Sequence, residues 1–132
     1  MRFMLDTNIC IYLIKKQPAI LLERFASYPV GDIGISVITL AELEYGASKS
    51  SNPHRNREAL EQFVLPLEVA VFDRPATLTY GKIRALLEKT GRPIGSMDML
   101  IAAHALSLGV HLVTNNVKEF KRVPGLRIEN WA

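Results

Sequence analysis

The sequence predicts an α/β fold in which a mainly parallel sheet of four to five strands is flanked by helices. Short apolar runs alternate along the chain with longer segments of helical periodicity, and such alternation is typical of parallel sheets joined by right-handed crossovers. The 132 residues, 48% apolar and 22% charged, are enough for one domain with its own core. We therefore expect residues 1–132 to form a single domain.

The predicted strands are short, apolar and followed by polar residues. They cover residues 2–5, 33–37, 69–72 and 111–113, and an edge strand is expected at 126–128. Runs of this length that stop at a polar turn, as the first does at Asp6 and the fourth at Thr114, are typical of buried strands.

The helices are predicted from apolar stripes and from residues that begin or end helices. They are expected over residues 9–14, from 18 onward, after 37, over 55–65, from 73 to 91 and over 97–108. Pro18 is expected to open the second helix, with Ile20 on its apolar side. Ser96 is expected to cap the last of these helices and Gly109 to end it.

Composition excludes several classes of protein. The single cysteine, Cys10, rules out an intrachain disulfide framework, and its apolar surroundings predict a buried structural thiol. Asp6 interrupts the apolar run that a signal peptide would need, and the uncharged stretch 99–117 carries polar groups that lipid could not satisfy. We expect a soluble cytoplasmic protein with no membrane span. A net charge of +3 is by itself a weak indicator of nucleic-acid binding.

Acidic and polar residues stand where the predicted strands end and the next helices begin. These residues are Asp6, Glu42, Asp98, Thr114, Asn116 and Glu119. In parallel sheets, ligands bind beyond the carboxyl ends of the strands. Carboxylates that converge there repel one another, and a divalent cation with a preference for oxygen ligands, such as Mg²⁺ or Mn²⁺, relieves that repulsion. The pattern therefore predicts a metal site.

Each acid also has a purely structural alternative. Glu42 could form a capping box with Thr39, and Asp98 could stabilise the positive end of its helix. Asp6 could be an Asx-turn residue, and Glu119 a solvated helix charge. We favour the metal site because it accounts for all four positions together, whereas each local role explains one.

The remaining chemistry-bearing residues fit a catalytic site less well. His104 lies six residues after Asp98 and so points away from it on a helix, which favours a packed or surface histidine. Most lysines and arginines are expected to lie on the solvated surface, although some must contact phosphate if the substrate is RNA. The chain contains no Walker loop, no dinucleotide-binding glycine fingerprint and no Gly-x-Ser-x-Gly motif.

Four segments carry a resemblance to a known family. They are Met4-Leu5-Asp6-Thr7-Asn8, Ile35-Ser36 with Glu42-Leu43 and Gly46, Asp98 with Ile101-Ala102-Ala103-His104-Ala105, and Leu112-Val113-Thr114-Asn115-Asn116 with Phe120. In this order and at these spacings the chain resembles the PIN-domain ribonucleases and, within them, the VapC toxins of bacterial VapBC toxin–antitoxin pairs. The loop 91–95 is similar to that of the enteric VapC type, and the likeness covers essentially the whole chain.

The resemblance implies roles for individual residues. Asp6, Glu42 and Asp98 would be the catalytic, metal-binding acids, with Mg²⁺ or Mn²⁺ as the cofactor. The family's usual fourth acid falls at Asn116, and Glu119 is the nearest replacement for the missing charge. Asn8 and Thr114 would be supporting residues that hold the carboxylates in place.

The resemblance also implies a function and partners. The chain would be a metal-dependent endoribonuclease that hydrolyses RNA phosphodiester bonds, as enteric relatives do in the anticodon stem-loop of initiator tRNA. It would form a homodimer, be inhibited by a VapB-type antitoxin whose C-terminal segment crosses the acidic groove, and meet DNA only through that antitoxin.

Two rival functions stay open at this point. The first is an RNA-binding module of PIN fold with little catalysis, because Asn116 lacks a charge. The second is an aspartyl-phosphate receiver or phosphatase on a similar parallel sheet. The Asp6-Thr7-Asn8 turn argues against a phosphatase because it lacks the second aspartate of an Asp-x-Asp pattern.

Overall fold

The computed structural model describes residues 1–132, and its five strands form one parallel sheet in the order β3-β2-β1-β4-β5. The strands are β1 (Phe3–Leu5), β2 (Ile33–Ser36), β3 (Glu68–Ala70), β4 (His111–Val113) and β5 (Ile128–Glu129). The predicted α/β architecture with a mainly parallel sheet is therefore confirmed.

Seven helices cover the two faces of the sheet. They are α1 (Thr7–Ile14), α2 (Ala19–Ala26), α3 (Val37–Lys49), α4 (Pro53–Val64), α5 (Arg74–Lys89), α6 (Ser96–Leu108) and α7 (Val117–Phe120). None of them combines the length and the apolar character that a membrane-spanning helix requires.

The sheet separates two apolar cores. Because successive side chains of a strand point to opposite faces, Met4 of β1 joins one core while Phe3 and Leu5 join the other. The core that contains Met4 is built mainly with α5 and α6, and the opposite core mainly with α1 to α4. A sheet covered on both faces explains why the central strands read as continuous apolar runs.

The order of the strands creates a switch point at one edge of the fold. The chain runs from β1 outward through β2 to β3, then returns through α5 and α6 to place β4 on the other side of β1. Parallel sheets of this kind bind ligands where the strand order reverses, beyond the carboxyl ends of the strands. Here that position lies between the ends of β1 and β4, where Asp6 and Thr114 follow their strands.

Several helix ends follow the predicted chemistry. Asp73 caps α5 by accepting a hydrogen bond from the Ala76 N–H at 3.2 Å, and Asn52 caps α4 in the same way, with Pro53 in the first turn. Gly109 ends α6 in the left-handed conformation, with a φ of 68°, which only glycine adopts without strain.

Four sequence predictions about the elements are wrong in detail. The side chain of Ile20 is 63% exposed, because α2 turns Leu21 toward the core instead. Ser96 is the first residue of α6 and not its cap, which is Gly95. The third strand ends at Ala70, two residues before the predicted end, and the edge strand β5 begins only at Ile128.

Candidate active site

Asp6 occupies the switch point of the sheet and is almost completely buried, with 4% of its surface exposed. It caps α1, since its Oδ1 accepts a hydrogen bond from the Ile9 N–H at 2.9 Å, while its Oδ2 accepts one from the Thr114 hydroxyl. Desolvation by burial raises the pKa of Asp6 even though these hydrogen bonds favour the ionised form. The local role of Asp6 is thus that of a helix cap, whereas the sequence offered an Asx turn as the alternative.

Thr114 holds the Asp6 carboxylate in a fixed orientation. Its side chain is fully buried after β4, and its Oγ1 also accepts a hydrogen bond from the Asn116 N–H at 2.9 Å. A hydroxyl that accepts from the backbone and donates to a carboxylate cannot rotate freely. The end of β4 thus sets the rotamer of a residue that follows β1.

Glu42 lies in the second turn of α3 and is half-buried. Its charge and those of Asp6 and Glu119 all act on Asp98, and we call the place where these four acids lie near one another the cleft. The capping-box alternative is wrong, because α3 is capped by Ser36, whose Oγ accepts from the Ile38 N–H at 3.0 Å. Thr39 lies inside the first turn and is fully buried, with no partner for its hydroxyl. Glu42 instead accepts a hydrogen bond from the Thr7 hydroxyl at 2.6 Å, which ties α3 to the start of α1.

Asp98 lies in the first turn of α6 and faces the other acids. Its pKa rises from 3.8 to about 6, first because it is desolvated and then because of the charges on Glu119, Glu42 and Asp6, in that order. The protein has seven ion pairs, and none of them includes any of these four acids. The cleft therefore holds negative charge that no ion pair compensates.

Asn116 and Glu119 form a pair at the start of α7. The Asn116 Nδ2 donates a hydrogen bond to Glu119 Oε2 at 3.0 Å, and both side chains are half-buried. The amide thus orients Glu119 without adding charge. Among the charges that raise the pKa of Asp98, that of Glu119 is the largest, so the two carboxylates are near neighbours.

A supporting contact to an acid comes from Thr7 and not from the side chain of Asn8, the residue that the resemblance indicated. Asn8 is exposed and its side chain makes no hydrogen bond, although its backbone N–H favours the ionised form of Asp6. Thr7, which no sequence argument singled out, holds Glu42. Its position between Asp6 and Asn8 was the available signal, but only the fold brings it to α3.

The expectations for the two other reactive residues agree with the structure. Cys10 is fully buried, and burial raises the pKa of its thiol well above the ordinary range, so it is an inert core residue. His104 is also fully buried, and desolvation lowers its pKa. Its Nδ1 lies 2.7 Å from Ser36 Oγ. The six-residue offset turns His104 about 120° around α6 from Asp98.

The residues of the cleft fit a hard divalent cation by charge and by donor type. Asp6, Glu42 and Asp98 offer carboxylate oxygens, and no cationic side chain is paired with them. No three His, Cys, Asp or Glu side chains are gathered closely enough to enclose one ion between them. Water or phosphate oxygens would complete the coordination, as is usual for Mg²⁺.

Comparison with known proteins agrees with this site and its fold. Residues 3–126 match the PIN domain family. The chain is 50% identical to the tRNA(fMet)-specific endonuclease VapC of Shigella flexneri and 49% identical to that of Salmonella typhimurium, each over 132 residues that cover 100% of this chain and 99% of the relative. This chain belongs to the PIN-domain family, among the VapC proteins. The predicted family resemblance is thus confirmed.

Solved structures of VapC relatives share the fold over their full length. The VapBC of Salmonella typhimurium, solved bound to DNA, matches with a TM-score of 0.95 at 48% identity and covers 100% of this chain and 99% of that one. The VapBC2 of Rickettsia felis, bound to a promoter DNA fragment, matches with a TM-score of 0.90 at 47% identity and full coverage of both chains. The more distant FitAcB of Neisseria gonorrhoeae still gives a TM-score of 0.86 at 29% identity.

Proposed function

We propose that this chain is the toxin of a VapBC-type pair, a metal-dependent endoribonuclease in which Asp6, Glu42 and Asp98 are the catalytic, metal-binding acids. The observation that carries the proposal is the meeting of these acids and Glu119 at the switch point of the sheet with no cation paired to them. A receiver or phosphatase is not favoured, because such a site would need a lysine beside the acids.

The chain's own residues supply the preorganisation that this reaction needs. Thr114 and the Ile9 N–H keep both oxygens of Asp6 oriented, and the Thr7 hydroxyl does the same for Glu42. When bound, Mg²⁺ or Mn²⁺ would activate a water molecule and offset charge on the phosphate. Because water is the nucleophile, the expected products carry 5′-phosphate and 3′-hydroxyl ends, and no side chain becomes covalently attached.

The proposed substrate is initiator tRNA, cut in its anticodon stem-loop in the cytoplasm. Two relatives at 50% and 49% identity are named tRNA(fMet)-specific endonucleases, and this chain aligns with each over its full length. The 16 lysines and arginines exceed the 13 acids, and part of the acid total lies inside the cleft, so the outer surface is more basic than the net charge indicates.

The proposed inhibitor is a VapB-type antitoxin, since the solved relatives are VapBC complexes. A cavity of about 380 Å³ lies between α1, α3 and α4, and its lining includes Ile14, Leu43, Leu60 and Glu42. An apolar segment seated there would place the next residues of the antitoxin over the acids. We propose that contact with promoter DNA is made only through the antitoxin, and that the toxin is a homodimer.

The test is cleavage of purified initiator and elongator tRNA by the wild type and by Asp6→Asn. The variant keeps an oxygen that can accept from the Ile9 N–H but loses the charge, so we expect kcat to fall by at least about 100-fold while RNA binding persists. Asp73→Asn is the matched control, because it makes the same change at a helix cap outside the cleft.

Two results would contradict the proposal. The first is full cleavage by a folded Asp6→Asn protein, and the second is cleavage that continues in EDTA. If the wild type binds tRNA but never cuts it with Mg²⁺ or Mn²⁺, the RNA-binding module is the better description.

A further inference from the structure

Few polar residues of this protein are buried. Five polar or charged residues are buried: Asp6, Ser36, Thr39, His104 and Thr114. Four of them form the only two hydrogen bonds in the chain that join two buried side chains, Thr114 to Asp6 and His104 to Ser36. The first bond orients a carboxylate of the site. The second is not explained by the chemistry described above.

The second bond joins the two helices that carry the other acids. Ser36 caps α3, and Glu42 lies six residues further along that helix. His104 lies on α6, six residues after Asp98. No other hydrogen bond between side chains connects α3 with α6. Since a helix rises about 1.5 Å per residue and is stiff over two turns, each acid stands about 9 Å along its helix from the bond.

Stability alone does not account for this pair. Burial of two polar side chains costs desolvation, and an apolar pair of similar shape is often equally stable or more stable. The buried Nε2 of His104 has no hydrogen-bond partner of ordinary geometry, although a backbone group of Val71 interacts with the ring, and the ring makes a T-shaped contact with Phe72 at a centroid distance of 5.1 Å. An apolar pair at these positions would pack without a preferred angle, whereas a hydrogen bond fixes both a distance and an angle between the two side chains and so between their helices.

We propose that His104 is a positioning residue for RNA cleavage, which acts through its buried hydrogen bond with Ser36 to set Glu42 on α3 against Asp98 on α6. The proposal rests on the function proposed above. With a neutral ring, one of Nδ1 and Oγ donates and the other accepts, and either tautomer keeps the helices joined. Loss of the bond would let the two acids move apart without unfolding the sheet.

The first test compares two substitutions of His104. His104→Leu removes both ring nitrogens, whereas His104→Asn keeps a polar atom at the position of Nδ1. Because small displacements of catalytic groups cost up to about 100-fold, we expect His104→Leu to lower kcat by about 10- to 100-fold with KM changed less than about threefold. In the absence of RNA, its Mn²⁺ affinity measured by calorimetry should fall by about 10-fold. His104→Asn should lower the melting temperature but keep kcat within about threefold of the wild type.

The second test separates positioning from stability. Ser36→Ala breaks the same bond and also removes the cap of α3. Ser36→Ala with His104→Leu replaces both partners by apolar groups, which should recover the part of the melting temperature that an unpaired buried polar group costs, but not the part due to the lost cap. We expect kcat and Mn²⁺ affinity to stay low in the double variant. Ile83→Val is the control, because it removes a methyl group from buried α5 surface and lowers stability without touching either partner.

Two outcomes would overturn the inference. One is a His104→Leu protein whose kcat and Mn²⁺ affinity match those of Ile83→Val at equal stability. The other is recovery of both quantities in the double variant along with the melting temperature. A wild type that cuts no RNA would contradict the proposed function instead, and the Mn²⁺ affinities would still decide the role of His104.

Discussion

Asp98→Asn should stabilise the metal-free protein at neutral pH and lose that advantage in acid. The folded chain raises the pKa of Asp98 from 3.8 to about 6, so Asp98 binds its proton more tightly in the folded state than in the unfolded state. Its contribution to stability is therefore complete below pH 3.8 and is lost as the pH rises through about 6. Asparagine carries no charge at any pH, so the variant does not suffer this loss.

The size of the stability gain follows from the shift in the pKa of Asp98. A difference of about 2 pKa units corresponds to roughly 3 kcal/mol, but Asp98 is only half-buried, and solvent screening reduces this to about 1–2 kcal/mol. For a chain of this length, that free energy of unfolding corresponds to roughly 4–7 °C in melting temperature. Glu119→Gln should recover part of the same gain, because Glu119 is the largest charge contribution to the shift.

The assay is thermal unfolding followed by circular dichroism in EDTA, from pH 4 to pH 8. We expect the melting temperatures of the wild type and Asp98→Asn to converge near pH 4 and to separate above pH 6, with the variant higher. Saturating Mn²⁺ should reverse the order at pH 7.5, since only the wild type keeps the full ligand set. A variant that is no more stable than the wild type in EDTA at pH 7.5, or a gap that persists at pH 4, would refute the reasoning.

Four further substitutions test individual contacts. Thr7→Val should lower kcat by about 10-fold, because it removes the hydrogen bond that orients Glu42. Asn8→Ala should change kcat less than about twofold, because that side chain is exposed and makes no hydrogen bond. Equal effects of the two substitutions on tRNA cleavage would contradict the structure. Asn116→Asp should add a second tight Mn²⁺ site in calorimetry and make the stability of the protein more dependent on metal. Two equally tight Mn²⁺ sites in the wild type would show that another group already supplies the charge that Asn116 lacks. Gly34→Ala should cost about 1–3 kcal/mol in urea unfolding, because its Cβ would lie 2.6 Å from a backbone oxygen of β3; an unchanged midpoint would refute this close approach.

Local patterns predicted most of the elements because their causes are local. Apolar runs and helix stripes reflect burial, and caps such as Asp73 and Gly109 satisfy backbone groups a few residues away. The errors arose where local signals competed. Ile20 and Leu21 are both apolar neighbours on α2, and only contact with the rest of the fold decides which one is buried.

The Thr39 and Glu42 pair shows the limit of a motif. The spacing fits a capping box, but the helix is capped three residues earlier, by Ser36, which is also the last residue of β2, and α3 begins at Val37. Thr39 is then inside the helix, and Glu42 turns to the cleft. No local pattern in the sequence tells whether Ser36 or Thr39 caps the helix.

The sequence by itself determined the fold class and the identity of the acids at the strand ends, because both depend on the order of residue types along the chain. Tertiary structure alone decided which side chains hold those acids. Thr7 reaches Glu42 across 35 positions of sequence, Thr114 reaches Asp6 across 108, and His104 reaches Ser36 across 68. The Thr114 contact depends on the crossover that places β4 beside β1, and the other two depend on how α1 and α6 pack against β2 and α3. Hydrogen bonds form only at short range, so they cannot be read from positions so far apart in the chain.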